Sequence, residues 1–109
     1  MIKPVKGYED FYEITSEGNV ISKRFKRNLK PFSDKNGYLY VDLFDGKSKK
    51  RKSVHRLVAK HFVSGFKEGL VINHKDKNRK NNHYTNLEWV TQRQNILYSN
   101  ARKIARLDK

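Results

Sequence analysis

Residues 70–95 read LVINHKDKNRKNNHYTNLEWVTQRQN, and this stretch decides the fold. Leu70, Val71 and Ile72 form a short apolar run of the kind that makes a buried strand, and Leu87-Glu88-Trp89-Val90 forms a second. Residues 73–86, between them, are almost wholly polar. A loop of that length in a small domain is either functional or disordered. Thr91 with Gln94 three residues later is a capping box, in which each side chain satisfies a free N–H at the start of a helix. Ile96, Leu97, Ile104 and Leu107 give that helix an interrupted apolar stripe. The order strand, polar loop, strand, helix is a ββα unit.

Working upstream, Val54, Leu57, Val58 and Phe62 fall on one helical stripe, with Ser53 placed to cap a helix running through about Phe62 and Ser64-Gly65 to end it. Earlier still, the chain reads as strands. Residues 10–15 (DFYEIT) and 19–23 (NVISK) flank a turn at Ser16-Glu17-Gly18. Residues 38–44 (YLYVDLF) and 47–53 flank Asp45-Gly46, a strong hairpin signal. Between these hairpins, residues 23–37 read as a basic connector with Pro31 and an Asn36-Gly37 turn. The expected class is α+β, with a small antiparallel β-sheet region over residues 1–52 and the ββα module over residues 53–109.

Composition then limits the chemistry. The 109 residues carry 25 Lys+Arg against 11 Asp+Glu, a net charge of +14. Thirteen of the basic residues lie before position 53 and twelve after, so the charge is not a tail on a neutral domain. Five of the six residues in KSKKRK, 47–52, are basic. Such an excess argues for a polyanionic partner. With no cysteine there is no disulfide framework, thiolate nucleophile or Cys-ligated metal. No apolar run approaches the ~20 residues that cross a bilayer, and the N-terminus lacks an apolar signal core. A cytoplasmic protein with no membrane partner is the expectation. Only 36% of residues are apolar, so the 13 Tyr, Phe and Trp residues have to supply much of the core.

His74 stands apart among the four histidines, because it follows a buried strand and opens the asparagine-rich loop. His55, His61 and His83 take the ordinary structural or solvated reading. Asn95, in the first turn of the last helix, is a candidate oxygen ligand for a hard divalent cation. There is no Gly-rich phosphate loop and no serine elbow. What remains is hydrolysis at phosphorus by one histidine and one hard metal ion.

The spaced elements VHRLVA, INHKD, NN and NLEWVT, then an asparagine in the following helix, resemble the HNH nuclease module of phage and intron-encoded homing endonucleases. Residues 7–23, GYEDFYEITSEGNVISK, resemble the small DNA-binding module that commonly precedes it. The resemblance implies the ββα-metal fold and a DNA endonuclease. His74 takes the place of the general base, and Asn86 that of the middle Asn, which ties down the loop and orients the histidine. Asn73 and Asn95 take the metal-ligand positions, with one Mg²⁺ or Mn²⁺ ion per site and Asp76 as a rival ligand. Asn73 is a departure, because some members carry Asp there. Double-stranded DNA is the implied partner, held by Lys23, Arg24, Lys26 and Arg27 in the connector and Lys49, Lys50, Arg51 and Lys52 on the hairpin. One site per chain implies a nicking monomer, acting in the bacterial host of a phage. A non-catalytic DNA-binding regulator on the same scaffold is the alternative.

Overall fold

The computed structural model describes residues 1–96. Three small antiparallel sheets and one full helix share a single core. The first sheet runs β1 (Ile2–Pro4), β2 (Tyr12–Thr15), β3 (Val20–Ser22) and β4 (Arg27–Asn28), in that spatial order. The second runs β5 (Phe32–Ser33), β6 (Leu39–Phe44) and β7 (Lys49–Ser53). Helix α1 (Val54–Phe62) follows directly, and β8 (Val71–His74) pairs with β9 (Leu87–Val90) as the third sheet. Residues 92–96 are helical and are labelled α2.

Each hairpin is set by local chemistry. In the β2–β3 turn, the Thr15 side chain accepts from the Asn19 N–H at 3.0 Å, and Gly18 takes φ +97°. At β6–β7, Asp45 Oδ1 accepts from the N–H groups of Lys47 and Ser48, at 2.8 and 2.9 Å. Asp34 does the same for Asn36 and Tyr38 at the β5–β6 turn. Such side chains stand in for a backbone turn acceptor.

The core is contributed by both halves of the chain. Ile14 and Val20 from the first sheet, Leu43 from the second, Val58 from α1 and Leu87 from β9 are all almost wholly buried. Trp89 fixes the end of α1 to β9, donating its indole N–H to the Val63 carbonyl at 3.2 Å. The N-terminal strand is tied to the same helix: Lys6 N–H donates to His61 Nε2 at 3.0 Å, and His61 Nδ1 bonds the Leu57 carbonyl at 2.7 Å. His61 is thus structural, as the sequence suggested.

Three sequence expectations need correction. Ser53 stands at the N-cap of α1 but makes no capping hydrogen bond, and its hydroxyl is buried without a partner. It is the last residue of β7, so the strand ladder fixes the helix entry. Helix α1 ends at Phe62, as expected, but its C-cap is Val63 and not Ser64-Gly65. The basic connector contains two short strands, β4 and β5. The capping box at Thr91 forms as expected, with reciprocal bonds of 2.9 and 3.1 Å to Gln94. Of the expected α2 stripe, Ile96 is 58% exposed, and Leu97, Ile104 and Leu107 lie outside the described residues.

Leu43 is fully buried on the central strand of the second sheet, so Leu43→Ala should cost about 2–5 kcal/mol. A urea melt checks this, with the midpoint expected to fall while the slope stays the same.

Candidate active site

The β8–β9 register pairs Val71 with Val90, Ile72 with Trp89, Asn73 with Glu88 and His74 with Leu87. Side chains alternate along a strand. Asn73 and His74 therefore leave β8 on opposite faces, and both are buried. Lys75 N–H continues the ladder by donating to the Asn86 carbonyl at 2.8 Å. The polar loop thus begins and ends at one point, and it closes through a 3₁₀ turn at Tyr84–Asn86. His83 caps that turn, its Nδ1 accepting from the Thr85 N–H at 3.2 Å.

The Asn86 side chain holds the loop shut. Its Nδ2 donates to Asp76 Oδ1 and to the Asn81 carbonyl, both at 2.9 Å, and its Oδ1 accepts from the Asp76 N–H at 3.1 Å. Asp76 completes the knot: Oδ2 accepts from Asn81 Nδ2 and Oδ1 from the Asn78 N–H, each at 2.8 Å. Those donors, Asn81 foremost, hold the Asp76 carboxyl below the usual carboxylate range. Both Asp76 oxygens are thereby occupied within the loop, which weakens its claim as a metal ligand.

His74 is oriented by a different asparagine. Its Nε2 meets Asn82 Oδ1 at 2.9 Å, inside the protein. An oxygen can only accept, so this contact fixes Nε2 as the protonated nitrogen and leaves the lone pair on Nδ1. The role of Asn86 is therefore to hold the loop, and the direct hold on the His74 ring belongs to Asn82. Burial pulls the His74 pKa below the ordinary histidine value, while the Asn82 bond opposes that shift. The ring is accordingly neutral at neutral pH, the form a base requires.

Sequence reasoning also passed over His55. It is half-buried on α1, with its ring 5.3 Å from His74 in an edge-to-face contact and 5.2 Å from Tyr38. The Arg79 guanidinium lies 4.7 Å over Tyr38 and donates to the Asn36 carbonyl at 2.7 Å. Burial, then the neighbouring His74 and Arg56, push the His55 pKa down to about 4. Its Nδ1 is buried without a hydrogen-bond partner. A signal was present: His55, Val58 and Ala59 follow the i, i+3, i+4 rule, and the latter two are core residues.

The two expected metal ligands offer neutral amide oxygens. Asn73 Oδ1 already receives a cation, the Lys77 ammonium at 3.4 Å, and Asn95 is half-buried in the first turn of α2. Among the described residues no group of three His, Cys, Asp or Glu is placed to hold a metal. The donor set fits a hard cation that takes oxygen ligands and keeps part of its water.

The eight basic candidates are not one surface. Lys49 and Arg51 share the outer face of the second sheet with their cross-strand partners Phe44 and Asp42, whereas Lys50 and Lys52 sit opposite the core residues Leu43 and Val41. Arg51 packs 4.6 Å over Phe32 and approaches Asp42 at 3.7 Å. Arg24 and Arg27 both lie 5.4 Å from the exposed Phe25 ring, around a turn in which Lys26 takes φ +52°. Lys23 donates to the Glu9 carbonyl at 2.7 Å.

A strand pair ending in a buried Asn-His step, an asparagine-locked loop and a capped helix together define a site of the HNH class. Comparisons with known proteins agree. The family model described as HNH endonuclease matches residues 52–97, and the NUMOD4 motif model matches residues 3–44. DNA endonuclease I-HmuI of Bacillus phage SP01 is 48% identical over 94 residues, covering 86% of this chain and 54% of that protein. An uncharacterized HNH endonuclease of Acanthamoeba polyphaga mimivirus is 42% identical over 87 residues, covering 80% of this chain and 26% of its own length. The solved structure of DNA binding and cleavage by the HNH homing endonuclease I-HmuI superposes with a TM-score of 0.87 at 42% identity, over 99% of this chain and 67% of that one. The chain belongs to the HNH homing endonuclease family. It spans about half the length of I-HmuI and about a quarter of the mimivirus protein. The family generally uses a divalent metal ion. Among the described residues no helix is long and apolar enough to cross a membrane.

His55 makes stability depend on pH. Its folded pKa of about 4 lies below the ordinary 6.5, so the unfolded chain binds more protons between those values. Stability should therefore fall as pH drops from about 6.5 to about 4, by on the order of 2–3 kcal/mol for this group. His74 adds a slope of the same sign. Urea melts across that range should show the loss, and His55→Gln should flatten it to the remainder due to His74 and other groups.

Proposed function

We propose that this chain is a metal-dependent endonuclease that hydrolyses phosphodiester bonds of double-stranded DNA, one strand at a time. The observation carrying this reading is His74: buried beside the locked loop, bonded through Nε2 to Asn82, with Nδ1 free of any hydrogen bond among the described residues. His74 Nδ1 takes a proton from water. The resulting hydroxide attacks phosphorus, the new O–P bond forms as the bond to the 3′ oxygen breaks, and His74 neutrality at pH 7 supports the first transfer. Asn86 keeps the loop in register, so that His74 stays fixed against the phosphate. Asn73 and Asn95 would hold one Mg²⁺ or Mn²⁺ ion, which stabilises charge on the leaving oxygen when bound. Both ligands are neutral, so the scissile phosphate supplies the negative charge. We place its action in the cytoplasm of a phage-infected bacterium, as a monomer.

DNA is held by the aromatic and cationic outer faces of the N-terminal sheets. Lys49, Arg51, Arg24 and Arg27 are the strongest phosphate contacts of the eight, because the three arginines are held against exposed aromatic rings and Lys49 shares the outer face of the sheet with Arg51. Lys50 and Lys52 contribute less.

Supercoiled plasmid tests the reading. With Mg²⁺ or Mn²⁺ the protein should convert it to open circles. His74→Ala should lower the rate by at least 10²-fold, the scale of a lost general base. Intact plasmid with wild type, or equal cutting by His74→Ala, would overturn the mechanism. Separately, neutralising Lys49 and Arg51 should reduce the slope of log affinity against log salt by about 1–2, since each phosphate contact releases about one counterion. An unchanged slope would remove that face from the interface.

A further inference from the structure

Asn82 is 4% exposed, and its two amide atoms are treated differently by the fold. Oδ1 meets His74 Nε2 at 2.9 Å, while Nδ2 is buried without a hydrogen-bond partner. A buried N–H left unsatisfied is a cost that folding alone does not recommend. A plain apolar residue of similar size would avoid it but would leave the histidine ring unheld.

The opposite side of Asn82 is backed by the N-terminal sheet. A Cβ placed on Gly18 would lie 3.1 Å from both the Asn82 Cβ and its carbonyl oxygen, and Gly18 has φ +97°. Glycine is required there twice, for the turn and for the close approach. One step away, the Tyr84 N–H donates to the Ser16 carbonyl at 2.8 Å. The β2–β3 turn therefore presses on the loop at the residue that bonds the histidine.

We infer that Asn82 is a positioning residue for His74, holding the imidazole as the Nε2–H tautomer with Nδ1 as base, and that the Gly18 turn holds Asn82 in place. The inference rests on the endonuclease reading only for its kinetic consequence. The tautomer and the packing stand without it. It also gives the N-terminal sheet a second task besides DNA contact, because the nuclease loop is shaped by a turn more than sixty residues upstream. Asn82 touches neither water nor phosphate in this scheme, and it acts through His74.

The test uses the full chain in two arms. In the first, with no DNA or metal, nitrogen-15 NMR at a pH where His74 is neutral should show one His74 ring with a slowly exchanging Hε2 proton. Asn82→Ala should lose that protection, and Asn82→Asp, which retains an acceptor oxygen, should keep it. In the second arm, single-turnover nicking with Mg²⁺ should slow about 10–100-fold in Asn82→Ala, with DNA affinity within threefold of wild type, and Asn82→Asp should recover most of the rate. Gly18→Ala should weaken the Hε2 protection and slow nicking about 3–10-fold without altering any loop side chain. Should Asn82→Ala fail to fold, Asn82→Ser carries the same comparison.

Persistence of the protected Hε2 proton in Asn82→Ala, or nicking at the wild-type rate, would overturn the positioning role. A folded Gly18→Ala variant with wild-type protection and rate would overturn the part played by the turn. A wild-type protein that cuts no DNA yet shows the protected proton and its loss in Asn82→Ala would sink the endonuclease reading and leave the positioning role standing.

Discussion

The site depends on one amide. Asn86 uses three of its four hydrogen-bonding positions inside a single loop, donating to Asp76 and the Asn81 carbonyl and accepting from the Asp76 N–H. A polar loop between two four-residue strands has little apolar area to bury, so hydrophobic packing cannot fix its shape. Hydrogen bonds inside a partly dry site can, because unmade ones are expensive there. Asp76 returns the favour by turning the chain back through Asn78 and Asn81. With the loop closed, Asn82 is delivered to His74. Without Asn86 the loop ends would still meet through the β8–β9 ladder and the Gly18 turn would still back Asn82, but the fold-back of residues 76–81 that brings Asn82 to His74 would be lost.

The second constraint is electrostatic. A protein of charge +14 places two histidines with ring centroids 5.3 Å apart in its interior and keeps both neutral by desolvating them. Burial is the leading cause of the shift at each ring, and each additional positive charge nearby reinforces it. His55 is the more deeply affected of the two. Its edge-to-face contact packs against the His74 ring, so the imidazole is gripped by a hydrogen bond at one nitrogen and by ring packing as well. The grip comes from both halves of the chain, since Tyr38, whose ring lies 6.2 Å from that of His74, precedes β6 and His55 lies in the first turn of α1.

The sequence made the hairpins legible where turn chemistry and strand composition agree, as at Asp45-Gly46 and at Leu87–Val90. The Thr91–Gln94 capping box was legible from its spacing and formed as read, His74 stood out by its place after a buried strand, and Asn86 was singled out only through the family resemblance. β4 and β5 were not legible, because two-residue strands of Arg, Asn, Phe and Ser carry no period and exist only as ladders on β3 and β6. His55 was missed for a related reason: a single histidine on a helix looks solvated until its i+3 and i+4 neighbours are counted. Asn82 could not be distinguished from Asn78, Asn81 or Asn86 by composition. Which of four asparagines meets the histidine is decided by how the loop folds back on itself and by the glycine turn behind it.

The exposed aromatics resolve a puzzle in the composition. A chain with so few apolar residues would be expected to bury its rings, yet Phe25 and Phe32 are 59% and 37% exposed. Each carries guanidinium groups: Arg24 and Arg27 flank Phe25, and Arg51 covers Phe32. Stacking on a ring restrains an arginine without using up its fork of N–H donors. A restrained cation loses less conformational entropy when it meets a phosphate than a freely rotating lysine does. The same arrangement recurs nearer the site, where Arg79 is stacked on Tyr38 beside His55. The rings on this surface are best understood as platforms that aim charge. Under the proposed function, arginine on an aromatic platform is the more informative mark of the phosphate-facing surface than the density of lysines in KSKKRK, half of which share a face of the β-ladder with the core residues Val41 and Leu43.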